Sequence, residues 1–101
     1  MRKEDFKEWL STRIKKKPIS DCISRCKAVE LALQIDLDAE YAVDKGKGLL
    51  EKMQYSIADE RKQKAAPTEF HFKDNANIRY RMANLRSAVN KYFEFCKENI
   101  A

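Results

Sequence analysis

The stretch whose reading decides the fold is Asn75–Ile100, NANIRYRMANLRSAVNKYFEFCKENI. Ile78, Met82, Leu85, Val89, Tyr92, Cys96 and Ile100 recur in it every three or four residues. That is the period of an α-helix with one apolar side. No glycine or proline interrupts the run, and no acid occurs between Asp74 and Glu94, whereas Arg79, Arg81 and Arg86 do. The spacing predicts one long C-terminal helix. Arg79, Arg86 and Asn90 share a face opposite its core stripe, and Arg81 lies to one side of them. Asn75 or Asn77 supplies the N-cap.

Upstream, Phe6, Trp9, Leu10 and Ile14 define a first helix over about Lys3 to Ile14, and Glu4 and Asp5 suit the positive end of its dipole. Pro18 disfavours helical geometry at Lys17 and predicts a break there. Ser20 is then the N-cap of a second helix that runs to about Gln34, with Ile23, Cys26, Val29 and Leu33 facing inward. Asp36 caps a short third helix in which Leu37, Tyr41 and Val43 point to the core. Lys45-Gly46-Lys47-Gly48 holds both glycines of the chain and reads as a flexible connector. Leu49, Leu50 and Met53 form the buried face of a fourth helix. Ser56 with Asp59 resembles a capping box that opens a further turn at Ile57. The polar segment Asp59 to Lys64 is expected to be exposed. Ala65 to Asn77 is the main loop, with Phe70 and Phe72 of an extended segment packing on the helices.

The chain has 101 residues, room for one core and too few for two. Hydrophobic residues make up 44% and charged residues 37%, with only two Gly and two Pro. This composition argues against disorder and for a single all-α domain of four or five helices. There are 21 Lys and Arg against 16 Asp and Glu, a formal net charge of +5, which favours anionic partners. The charge is uneven: Arg13 to Lys17 holds four basic residues and no acid, while Asp36 to Asp44 holds four acids and no base. No run approaches the ~20 apolar residues of a membrane span, and no signal peptide follows Met1. Three cysteines leave at least one unpaired. Cys22 and Cys26, one helical turn apart, are poorly placed for a disulfide. A reducing cytoplasm is the expected compartment.

No constellation points to catalysis. The lone His71 lies between two phenylalanines without a nucleophile signature. The cysteines lack the short paired spacings of zinc sites and read as core packing. Gly46-Lys47-Gly48 lacks the Walker spacing. The basic clusters carry the functional reading. Arginine forks to phosphate or guanine edges, whereas lysines act as point charges. The candidate contacts are Lys15, Lys16, Lys17, Arg25, Lys45, Lys47, Arg79 and Arg86, directed mainly at the phosphates of double-stranded DNA. No metal, cofactor or small-molecule substrate is expected. The rival reading is a small regulator or inhibitor that binds a protein partner, which an exposed stripe of Tyr41, Tyr55, Tyr80 or Phe95 would favour.

Asp5-Phe6-Lys7-Glu8-Trp9-Leu10, Ser24-Arg25-Cys26-Lys27-Ala28-Val29-Glu30 and Leu85-Arg86-Ser87-Ala88-Val89-Asn90-Lys91-Tyr92-Phe93-Glu94-Phe95 together resemble a helical module of bacterial and phage proteins. It is similar to the SAM-like, core-binding N-terminal domain of tyrosine recombinases (phage integrases), and to helical regions that precede nuclease domains in restriction-type proteins. The resemblance implies a module that clamps duplex DNA, with Arg86 at the arginine of the closing motif; Arg79 and Arg81 match no family position. The recombinase catalytic half has no counterpart here. The resemblance therefore implies a non-catalytic protein, either a stand-alone phage-type module or a piece of a larger DNA-processing enzyme.

Overall fold

The computed structural model describes residues 1–62, Phe70 and 77–98, and of Lys16 and Lys17 only the backbone. Six helical segments follow one another: α1 (Lys3–Ser11), α2 (Lys16–Leu33), α3 (Leu37–Asp44), α4 (Lys47–Lys52), α5 (Ile57–Arg61) and α6 (Ile78–Glu98). The described residues contain no strand, and the long C-terminal helix is α6. The fold is all-α as expected, and the expected four or five helices become six when the five-residue α5 is counted. His71, Phe72, Asn75, Ile100 and most of the main loop lie outside the described residues.

All five other helices pack against α6, and α2 does so most extensively. The buried side of α6 consists of Met82, Ala88, Val89, Tyr92, Phe93, Phe95 and Cys96. Each large side chain taken fully out of water contributes roughly 1.5–3 kcal/mol, so this one helix supplies a large share of the core. From the other elements Phe6, Leu10, Ile23, Cys26, Val29, Leu37, Leu49 and Met53 fill the space around it. Phe6 meets the edge of Tyr92 with centroids 4.9 Å apart and lies 5.5 Å from Phe95, distances at which aromatic pairs add to plain burial. Phe70 is half-buried against the same core. Val43, expected inside, is 81% exposed. On a helix of only eight residues, Leu37 and Tyr41 already occupy the inward side one turn apart.

The start of α2 corrects the reading of Pro18. The helix begins at Lys16, with Lys15 as N-cap, so Pro18 lies inside its first turn and Ser20 is not the cap. The first four N–H groups of a helix have no acceptor within it, so a proline among them loses no hydrogen bond. The break falls earlier. Ser11 and Thr12 donate their hydroxyls to the carbonyls of Glu8 and Trp9, at 2.6 and 2.8 Å. They close α1 at Ser11 instead of Ile14, by the competition that short hydroxyl side chains offer the helix ladder.

Other local signals match their expectations. Asp36 accepts the N–H of Asp38 at the start of α3, both halves of the Ser56–Asp59 capping box are formed, and Asn77 accepts the N–H of Tyr80 at 3.1 Å. Gln34 closes α2 in the left-handed conformation.

Lys45-Gly46-Lys47-Gly48 is a tight corner and not a loose connector. Lys45 and Gly46 have positive φ, and α4 already starts at Lys47. The Asp44 carboxylate accepts the N–H groups of Gly46 and Gly48 at 3.0 and 2.9 Å, which satisfies donors at the start of α4. A Cβ at Gly46 would lie 2.1 Å from Cε2 of Phe93. Phe93 is buried and rests on Tyr41, so its ring has little room to move.

Tyr92 joins three parts of the molecule. It is fully buried, its hydroxyl accepts the backbone N–H of Arg2 at 2.8 Å, and it donates to Oδ1 of Asp38 at 2.6 Å. Burial, and then the bond to Asp38, push its phenol well above the ordinary value.

Two substitutions test this framework. Gly46→Ala is expected to destabilise the protein by at least about 2 kcal/mol in urea unfolding, because it adds a clash to an unfavourable φ. Tyr92→Phe keeps the ring and removes the hydroxyl, and is expected to cost about 1–3 kcal/mol, since it strands the Arg2 N–H and takes one donor from Asp38 Oδ1, which keeps Arg2 Nε.

Candidate functional site

Several acids of this chain are engaged within the fold. The Met1 amine lies 3.1 Å from Asp36, 3.3 Å from Glu30 and 3.6 Å from Asp38. Glu30 also accepts the N–H of Leu37 at 3.0 Å. Arg2 pairs with Asp38 at 3.3 Å, and its guanidinium lies 4.8 Å from the centroid of Phe95. Glu98 pairs with Arg13, whose guanidinium also covers the ring of Trp9 at 4.0 Å. Asp44 and Asp59 are occupied with capping.

The cations divide differently. Arg79 forms an ion pair with Glu60 of α5. No carboxylate among the described residues lies within ion-pair distance of Arg25, Arg81, Arg86, Lys91, Lys15, Lys45 or Lys47. A helix N-terminus favours acids, yet the first turn of α6 contains none and carries Arg79 instead, with Arg81 just beyond. Glu60 offsets the charge of Arg79. Arg81 is exposed and has no such partner among the described residues.

Arg86 is half-buried at a groove of about 390 Å³ between α4 and α6, with Leu50, Gln54, Ser87 and Asn90 around it. The face it shares with Arg79 and Asn90 is therefore on the flank of the core stripe, not opposite it. Lys91 donates to the hydroxyl of Ser87 at 3.4 Å, one turn along the same helix. Lys91 in turn stands near the second helix. The thiol of Cys22 is held below its ordinary value first by the hydrogen bond with Cys26, with burial opposing, and then by the charges of Lys91 and Arg25. Lys91 of α6 and Arg25 of α2 thus form a cationic strip beside Cys22 at the α2–α6 seam, while Arg86 faces the separate groove between α4 and α6. Lys91 was missed as a contact in the sequence reading. Its four-residue spacing from Ser87 was visible, but its closeness to Arg25 depends on how α2 packs.

The remaining candidates are separate from that strip. Lys45 and Lys47 line a second groove, beside Arg2, Tyr41, Val43 and Cys96. Helix α4 borders both grooves, with Lys47 on the second and Leu50 on that of Arg86, which Gln54 just beyond the helix also lines. Lys15 is exposed at the turn between α1 and α2. Lys16 and Lys17 begin α2, and their side chains lie outside the described residues. The aromatic stripe proposed for a protein partner is broken up: Tyr55 and Phe95 are buried and Tyr41 is half-buried, which leaves Tyr80, 65% exposed.

All three cysteines are unpaired and buried. Cys22 and Cys26 direct their thiols to the carbonyl oxygen of Ala88 at 3.9 and 3.3 Å. The Cys26 thiol is pushed far upward, first by its bond with Cys22 and then by burial. Among the described residues no group of His, Cys, Asp and Glu is arranged to hold a metal ion, and no helix is long and apolar enough to cross a membrane. Comparison with known proteins returns no match: no family model fits the chain, and no curated protein or solved structure is significantly similar to it.

The electrostatics at Met1 generate a pH prediction. Burial lowers the amine's pKa, but the hydrogen bonds to Asp36 and Glu30 and their charges outweigh it, and the net shift is upward from 8.0. The stability this adds is complete below about pH 8 and is lost as pH rises through the higher folded value. Asp36 is shifted below 3.8, chiefly by the same amine and against burial, so its contribution is present above that value and is lost as pH falls through the lower folded value. N-terminal acetylation is expected to destabilise the protein near neutral pH, and the gap between acetylated and free protein is expected to narrow by about pH 10. Urea unfolding of both forms across pH measures this.

Proposed function

We propose that this domain binds double-stranded DNA without catalysing a reaction on it, and that backbone phosphates are its principal contacts. The observation that carries the reading is Arg86: a half-buried side chain at an open groove, with amide and hydroxyl groups beside it and no acid among the described residues within ion-pair distance. A phosphate would provide the missing charge, since arginine can present two parallel donors to it. Gln54, Asn90 and Ser87 are suited to secondary hydrogen bonds to phosphate or sugar oxygens.

In this reading Lys91 and Arg25, on the α2 side of α6, and Lys45 and Lys47, at a separate groove that Asp38 and Asp44 also line, are further contacts to the DNA backbone. The helical architecture and the sequence around Arg86 accord with a core-binding module of the recombinase type, and a stand-alone or phage-type module in the cytoplasm is the setting we propose. Arg79, ion-paired to Glu60, is a secondary contact in this scheme.

Titrating a labelled duplex over a salt series tests the proposal. Affinity is expected to fall steeply with salt, and Arg86→Ala is expected to flatten the log–log slope by about 0.9, the contribution of one neutralised phosphate. Arg79→Ala is expected to change it less. A duplex affinity that is absent at low salt, or insensitive to salt, would rule the reading out.

A further inference from the structure

Tyr80 is the one aromatic ring among the large apolar side chains that the described structure leaves in water, at 65% exposure. It is held there by its own backbone, because its N–H is the one that Asn77 caps, at 3.1 Å. The ring thus projects from the first turn of α6, next in sequence to Arg79 and Arg81.

Tyr80, Asn84, Ser87 and Lys91 follow at spacings of four, three and four, which places them on one face of the helix. The Lys91 ammonium reaches back to Ser87 on that face. At 1.5 Å per residue the row is about 16 Å long, roughly the length of five stacked nucleotides in one strand. Arg86 lies about 9 Å along the axis from Tyr80 and about a third of a turn round the helix, at the groove that Ser87 also lines. An aromatic platform at one end, a cation at the other and small hydrogen-bonding groups between them form the combination with which proteins hold unpaired nucleotides.

We infer that Tyr80 is a stacking platform for an unpaired base, so that the preferred ligand is a DNA duplex with a single-stranded tail and not a blunt duplex. This rests on the DNA-binding reading above and adds the form of DNA recognised. The duplex is held at Arg86, and the strand that leaves it runs over Asn84 toward the ring.

Fluorescence anisotropy with a blunt duplex and the same duplex carrying an oligothymidylate tail tests the inference on the full chain. The tailed duplex is expected to bind more tightly. Tyr80→Ala is expected to weaken the tailed duplex about tenfold, to leave the blunt duplex unchanged and to keep the salt slope, while Tyr80→Phe retains the preference. The side chain is exposed, and helical circular dichroism and the urea midpoint are expected to match the parent. Equal affinity for the two DNAs, or equal weakening of both by Tyr80→Ala, overturns this inference and leaves the Arg86 reading standing. Binding of neither DNA at low salt overturns both.

Discussion

The Tyr92 hydroxyl is the constraint on which the rest of the architecture depends. A phenol taken completely out of water must both donate and accept, and here the two partners, Arg2 and Asp38, lie 90 and 54 residues away along the chain. Meeting that requirement brings the N-terminus and α3 onto α6 at one point. Once Asp38 is there, Arg2 and the Met1 amine are drawn to it and to Glu30 and Asp36. Asp36 and Asp38, the first two acids of the acidic stretch, are thereby paired internally with the positive charges of Met1 and Arg2.

The net charge of +5 is therefore an incomplete description of what a partner meets. Arg2, Arg13 and Arg79 are tied to acids, so their charge is largely spent within the fold. Arg25, Arg81, Arg86 and Lys91 have no ion-pair partner among the described residues. The start of α6 shows the same imbalance on a local scale. Arginines occupy the end of a helix that favours acids, and only one of them is offset. Natural sequences that break a local rule of this kind tend to do so at working surfaces.

What was legible in the sequence was what depends on near neighbours along the chain. The stripe of α6, the Asp36 cap and the Ser56–Asp59 box are each written within a few residues, and all are present. Pro18 was misread because the rule against helical geometry before proline was applied without asking which turn of the helix it occupied. The Glu60–Arg79 pair and the approach of Lys91 to Cys22 each involve two separate helices, and no spacing rule reports such contacts. Phe95 and Tyr55 had no stripe to place them, and only the packing of α1 and the N-terminus onto α6 determines that Phe95 is covered. Half of the candidate site was thus visible as residue type, while its division into an anchored strip and a separate corner required the fold.

The enclosure of Met1 also changes the chemistry of the chain's first atom. An α-amine is ordinarily the most nucleophilic amine of a protein near neutrality, since it loses its proton well before a lysine does. Here three carboxylates hold that proton in place and the methionine side chain is almost wholly covered. Acylating reagents and aldehydes that normally select the N-terminus lose their selectivity on this protein, and exposed lysines such as Lys15, Lys45 and Lys47 become their competing targets.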